Sequence, residues 1–321
     1  MKKEEVIFGV DIGGTNTAVG LIDSNNKFLM EKSFETKSSD GIDNYIERLA
    51  HYLRQMHHEY YFTYILKGIG LAAPNADYRT GYIENSVNLK WKKVNPVKLL
   101  KKHFDIPITL LNDANAAALG EQAGGSAKGM KNFVVLTLGT GLGSGIVVDG
   151  NLINGETGLA GELGHVVVKP DGRKCNCGRN GCLETYISAN GIRRTVFELI
   201  SYDNEETELR NISFNNLTSL YIAELAHTGD PVAKKVFDHS GEILGRALAD
   251  IAACFDPEAI ILAGGVAESG DLLLKPTKQY FEKSVLSIYK DKVKILKSSL
   301  QNSRAAVLGA GNFVLKEIEK Q

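Results

Sequence analysis

Apolar residues along this chain fall into two alternating periods. Short continuous runs at 6–10, 18–23, 28–34, 68–72 and 108–111 read as buried strands. Between them, Ile42, Ile46, Leu49, Leu53 and Met56 recur at spacings of four, three, four and three, which predicts an amphipathic helix. Asn112-Asp113 closes the fifth run, and an alanine-rich helix is expected to start there. The opening then repeats: a strand at 133–138, a glycine hairpin, and a return strand at 144–148. Further on come a helix at 241–255 stopped by Asp256-Pro257, a strand at 259–263, the turn Gly264-Gly265 and a last helix at 304–319. The stretch 202–216 is polar and reads as a surface excursion. Strands alternating with helices predict an α/β fold. Two halves that each open with strand, glycine hairpin and strand predict an internal duplication.

At 321 residues the chain exceeds the size at which one core stops growing, so two domains are expected. The glycine-rich stretch 124–129 marks the boundary region, with residues 1–120 plus 305–321 in one domain and 121–304 in the other. Hydrophobic content of 43% and charged content of 23% are ordinary for a globular protein. With 37 basic and 38 acidic side chains the net charge is −1, and there is no basic block to favour nucleic acid. The N-terminus has no apolar segment resembling a secretory signal. No run approaches the about 20 apolar residues that span a bilayer.

Three of the four cysteines, Cys175, Cys177 and Cys182, lie within eight residues, and His165 stands ten residues before the first. Three thiolates and an imidazole make a closed, tetrahedral zinc set. Cys254, in an apolar helix, reads instead as a small core residue. The clustered three sit among Gly, Asn, Arg and Lys, where no core forms, and cysteines one residue apart pair poorly as a disulfide. Metal-bound cysteines fit a reducing compartment, so the expected location is the cytoplasm. Glu162 and Glu184 flank the ligand set, which reads as a stapled substrate loop.

The two glycine hairpins, Asp11-Ile12-Gly13-Gly14-Thr15-Asn16 and Gly139-Thr140-Gly141-Leu142-Gly143, suit phosphate: glycine lets backbone N–H groups approach an anion. Either hairpin alone also closes without a ligand; two at equivalent points of a duplicated pattern are far more specific. Neither is a Walker A loop or a Rossmann fingerprint, since the Gly-Lys-Ser/Thr ending and the following helix are missing. Asp11 beside the first loop can hold a hydrated Mg²⁺, or can cap the turn. Asn112 suits a helix N-cap. Asp113, at the carboxyl end of a strand, is placed to take a proton from a hydroxyl attacking a γ-phosphate.

Together these segments resemble the ROK family of sugar kinases and repressors, within the actin/hexokinase/Hsp70 superfamily. The resemblance runs along essentially the whole chain. It rests on the two phosphate loops, Asn112-Asp113-Ala114-Asn115-Ala116, Gly161-Glu162-Leu163-Gly164-His165, the segment from Cys175 to Glu184, and Gly264-Gly265-Val266. It implies a duplicated actin-like (ribonuclease H-like) fold of two domains with a cleft between them, and an ATP-dependent hexose kinase, glucose foremost. Asp113 would be the general base. Asn88, Asn112, Asp113, Glu162, His165 and Glu184 would meet the sugar. Asp11, Gly13, Gly14, Thr15, Asn16, Thr140 and Gly141 would surround the phosphates and Mg²⁺, and Gly264, Gly265 and Val266 the adenosine. His165, Cys175, Cys177 and Cys182 would hold structural Zn²⁺. The implied partners are sugar and ATP, with a homodimer as the assembly.

Two positions depart from the family pattern. Asn16 stands where a basic residue is common, and Ala76, in Ala73-Pro74-Asn75-Ala76, replaces a glycine-like position. Two other functions compete: a sugar-responsive repressor, for which no DNA-binding segment is expected ahead of a first strand at Val6, and a non-catalytic sugar sensor. Kinases for N-acetylglucosamine, N-acetylmannosamine, mannose, fructose and allose share the architecture.

Overall fold

A computed structural model describes residues 4–60, 62–86, 88–202, 204–300 and 303–320. The chain divides into two compact units. One comprises Met1–Gly129, Leu152–Ala160 and Ser299–Gln321; the other comprises Met130–Asn151 and Gly161–Ser298.

The first unit runs β1 (Glu4–Ile12), β2 (Asn16–Asp23), β3 (Phe28–Glu35), α1 (Ile42–His58), β4 (Tyr64–Ala73), β5 (Ala76–Asp77), β6 (Tyr82–Ser86), β7 (Trp91–Val94), α2 (Pro96–Leu100), β8 (Ile108–Asn112) and α3 (Asp113–Gly124). Its main sheet has the order β3-β2-β1-β4-β8, and a small sheet has the order β5-β6-β7. The pairs β1–β2 and β2–β3 are antiparallel, while β1–β4 and β4–β8 are parallel.

The uninterrupted apolar run of β1 follows from burial on both faces. Val6, Phe8 and Val10 join one core cluster with Leu49, Leu53 and Met56 of α1. Ile7 joins another with Val307, Leu308 and Val314. Those last three belong to the final helix, which returns to this unit from the far end of the chain.

The second unit begins with β9 (Phe133–Leu138) and β10 (Leu142–Val148), and the short β11 (Asn151–Leu152) stands where the chain leaves it. It continues with α4 (Glu184–Ile187), α5 (Ala189–Tyr202), α6 (Ser219–Thr228), α7 (Pro231–Phe255), β12 (Ala259–Ala263), α8 (Asp271–Ser284) and β13 (Lys294–Lys297); α9 (Arg304–Glu319) ends the described chain. The second main sheet has the order β11-β10-β9-β12-β13. As before, the hairpin strands are antiparallel and the two crossover strands parallel. The same order in both sheets bears out the duplication read from the sequence.

Helix α7 starts ten residues earlier than the sequence pattern indicates. Asp230 caps it by accepting from the Ala233 N–H at 2.8 Å, and Pro231 occupies the first turn. Gly241, which looked like a start, lies within the helix because α8 crosses there: a Cβ on it would stand 2.6 Å from Pro276 Cβ. The small sheet and the short helices of the second unit were not apparent from periodicity.

Close backbone contact governs the packing of α9. A Cβ on Gly309 would overlap the Ala116 carbonyl oxygen of α3, and one on Gly120 would overlap that of Ala305. Gly9 and Gly70 of the sheet meet Val307 and Ala310 in the same way. Backbone cannot step aside as a flexible side chain does. Gly309→Ala is therefore expected to lower unfolding free energy by about 3 kcal/mol, the upper end of overpacking costs. Gly265→Ala, with open space around it, is expected to stay within about 0.5 kcal/mol. Denaturant melts of the two variants check the contrast.

Candidate active site

In the first unit, β1 ends at Ile12 and β2 resumes at Asn16, so Gly13, Gly14 and Thr15 form the turn. The Gly13 N–H donates to the Asn16 carbonyl at 3.0 Å, and Thr36 N–H donates to the Thr15 carbonyl at 2.8 Å. Gly14, Thr15 and Asn16 are exposed. A Cβ on Gly14 would lie 2.9 Å from the Asn88 carbonyl oxygen, so the loop and the Asn88 segment are in contact. Ala76 is buried and extended, paired with Ile83; the left-handed residue beside it is Asn75, at φ 55°. The alanine thus needs no glycine-like backbone.

Asp11 and Asn112 sit at the carboxyl ends of their strands, opposite Ala72 and Ala73 of β4. The Asn112 side chain accepts from the N–H groups of Ala114 and Asn115 at 3.0 and 3.3 Å, capping α3. Asp113 Oδ1 accepts from Ala114 N–H at 2.8 Å. Burial, and then the negative charge of Asp113, raise the Asp11 carboxyl to about 7. Both influences oppose ionisation, and a divalent cation beside the pair would offset both.

In the second unit, Gly139, Thr140 and Gly141 turn the chain between β9 and β10. The Gly139 carbonyl accepts from Ala189 N–H at 2.8 Å. Glu184 Oε2 accepts from Leu142 N–H at 3.0 Å, and a Cβ on Gly141 would lie 2.7 Å from that oxygen. Glu184 is thus tied to the second loop. The Gly264-Gly265-Val266 turn is at the end of β12; Val266 N–H donates to the Leu138 carbonyl at 3.0 Å, and Gly264 takes φ 89° against the same residue. The Val266 side chain is buried, whereas Gly265 is exposed.

The ligating atoms of His165, Cys175, Cys177 and Cys182 all lie within 4.8 Å of one another. His165 Nδ1 is 3.7 Å from Cys175 Sγ, and Cys177 Sγ is 3.6 Å from Cys182 Sγ. His165 Nε2 points the other way, 3.9 Å from Glu162 Oε2. Cys175 Sγ is 3.7 Å from Glu184 Oε1. The Arg179 backbone N–H pulls the Cys177 thiol down to about 6, while burial pushes Cys175 up to about 12. Donor number, type and convergence fit a closed zinc site.

Two supports for this loop escaped the sequence reading. Ser144 of β10 donates its hydroxyl to the Gly161 carbonyl and accepts from Leu163 N–H at 3.1 Å, bracketing Glu162. The buried Arg173 gives two bonds to the Glu198 carboxylate, at 2.7 and 2.6 Å. It also donates to the Thr185 and Gly191 carbonyls and to the Thr195 hydroxyl. Neither a single Ser nor a single Arg has a spacing that announces such a role.

The ROK family model matches residues 7–317. A glucokinase of Halalkalibacterium halodurans is 37% identical over 317 residues, covering 96% of this chain and 94% of that protein. A ROK glucokinase of Streptomyces griseus, solved with glucose and AMPPNP, superposes with a TM-score of 0.81 at 29% identity, covering 97% of this chain and 99% of that one. The xylose repressor of Bacillus subtilis is 27% identical, with 98% of this chain covered and 78% of the repressor. The duplicated architecture is that of the actin-like ATPases. Both glycine loops, Asp113 and the cysteine knot fall inside the family match, and the chain belongs to the ROK family.

Proposed function

We propose that the protein transfers the γ-phosphoryl group of ATP to the 6-hydroxyl of glucose. The observation that carries this reading is Asp113: a carboxylate at the carboxyl end of β8, close enough to Asp11 to raise its pKa. In this reading Asp113 accepts the hydroxyl proton as the sugar oxygen attacks phosphorus. Asp11 orders the water shell of the Mg²⁺ that arrives with ATP. Gly13, Gly14, Thr15, Asn16, Thr140 and Gly141 offer donors to the phosphates, and Gly264, Gly265 and Val266 flank the adenosine. Asn88, Asn112, Glu162, His165 and Glu184 read the sugar hydroxyls.

His165, Cys175, Cys177 and Cys182 would hold Zn²⁺. A four-ligand zinc supplies structural rigidity and no open position for water. His165 then binds through Nδ1 and keeps Nε2 for a hydroxyl. The likeness to a glucose-bound ROK kinase supports both substrates. A homodimer is the assembly in this reading, and no helix among the described residues is long and apolar enough to cross a membrane.

ADP release measured with a panel of hexoses tests the function. Glucose is expected to give the highest kcat/KM, with epimers and acetamido sugars lower by about tenfold or more, because an unpaired buried polar group weakens binding. Higher kcat/KM for another hexose would reassign the substrate. No ADP with any hexose, together with measurable sugar binding, would favour the sensor reading that the repressor similarity raises.

A further inference from the structure

Behind the first glycine loop lies a chain of buried hydroxyls that the proposed chemistry does not use. Thr17, Thr36 and Tyr45 are each fully buried. Tyr45 OH is 3.2 Å from Thr17 Oγ1, which is 3.0 Å from Thr36 Oγ1. Thr36 Oγ1 donates to the Gly13 carbonyl at 2.7 Å.

The direction of every proton follows from elementary valence. A carbonyl only accepts, so the single hydroxyl proton of Thr36 is committed to Gly13. Thr36 Oγ1 must then accept from Thr17, and Thr17, its one proton spent, must accept from Tyr45. The order is Tyr45 to Thr17 to Thr36 to Gly13, with no alternative arrangement. Hydrogen bonds aligned in this way polarise one another.

The chain also has a mechanical anchor. Tyr45 is on α1, one turn before Arg48, whose guanidinium donates to the Thr36 carbonyl at 2.7 Å and pairs with Asp40 at 3.1 Å. Thr36 N–H holds the Thr15 carbonyl. One residue therefore grips the loop on both sides of Gly14, and α1 holds that residue directly through Arg48 and, by way of Thr17, through Tyr45.

We propose that Thr36, oriented by Thr17 and Tyr45, is a positioning residue for the first phosphate loop, fixing the Gly13–Gly14 peptide that faces the nucleotide's phosphates. This rests on the kinase reading in one respect: the loop must be the one that meets ATP. The hydroxyls touch no substrate, so their loss acts through loop geometry. Removing the Thr36 hydroxyl leaves the Gly13 carbonyl and the Thr17 proton without their partners in a buried place.

Steady-state kinetics of Thr36→Val, Thr36→Ser and Tyr45→Phe test the inference, alongside thermal melts and far-UV spectra. Thr36→Val is expected to raise KM for ATP about tenfold while KM for glucose stays within about twofold, since one buried hydrogen bond corresponds to roughly a factor of five to ten. Thr36→Ser, which keeps the hydroxyl, is expected to restore KM for ATP. Tyr45→Phe, which leaves the bonds to Gly13 and between the threonines in place, should fall between the two. Equal increases in both KM values, or a lower melting temperature with KM for ATP unchanged, would overturn the proposal. If Thr36→Val fails to fold, the comparison of Tyr45→Phe with wild type still decides, because unchanged KM for ATP there removes the relay. An inactive wild-type protein would count against the kinase reading instead.

Discussion

Asp113→Asn is expected to lower kcat for glucose phosphorylation by about 10²- to 10⁴-fold, the range for losing a general base. Asparagine has nearly the same shape and keeps an oxygen that can accept from the Ala114 N–H, as Asp113 does at 2.8 Å. The cap on α3 comes from Asn112 and is untouched. The fold is therefore expected to persist, and in the proposed reaction the lost quantity is a proton acceptor in the transition state. An unchanged KM for glucose with a collapsed kcat is the signature of an interaction made only as the hydroxyl attacks. A turnover within about tenfold of wild type would remove Asp113 from the reaction. The substitution has a second, measurable consequence. The Asp113 charge is one of the two causes that raise Asp11, so its removal should bring the Asp11 carboxyl down from about 7 while burial still holds it above the ordinary value. Carboxyl titration by NMR in the variant reads that shift.

Cys182→Ser is expected to reduce bound zinc from about one per chain to near zero and to raise KM for glucose about tenfold or more. Cys182 is fully buried, so a hydroxyl there is both a poor ligand and a misplaced polar group. Structural zinc contributes on the order of 10–16 kcal/mol in small peptides, all of it linked to local order. Global unfolding is not expected, because the Arg173 bonds to Glu198, Thr185 and Gly191 hold part of the loop without metal. The damage should also reach the second glycine loop, since Glu184 joins Cys175 to Leu142. Elemental analysis, far-UV spectra and the two KM values measure the three parts separately. Full zinc occupancy in Cys182→Ser, or a zinc-free protein with unchanged KM for glucose, would refute the stapling role.

Legibility in the sequence tracked how local the physical cause is. The first strand was readable because burial on both faces makes β1 apolar from Val6 to Val10. The convergence of His165, Cys175, Cys177 and Cys182 was readable because these side chains are close in sequence and chemically specific. The start of α7 was not, because Asp230-Pro231 signals a helix only once its hydrophobic face is known, and Gly241 imitated a boundary. Thr17, Thr36 and Tyr45 are spread over 29 positions, on β2, just past the end of β3 and on α1; only the folded chain aligns their hydroxyls. Ser144 and Arg173 are silent for the same reason. Ser144 meets only backbone groups, which every sequence contains, and the side-chain partners of Arg173, Thr195 and Glu198, lie 22 and 25 residues away.

The return of α9 to the sheet of the first unit has a bearing on biosynthesis. A ribosome delivers Gly9, Gly70 and Gly120 early, yet the helix backbone that fits against them arrives only with residues 304–319. The second unit needs nothing beyond residue 298. The part of the protein made first is thus the part completed last. During most of translation the face of β1 carrying Ile7 waits for Val307, Leu308 and Val314. Through that interval this apolar face needs shielding, and the need ends only once α9 is free to pack against it.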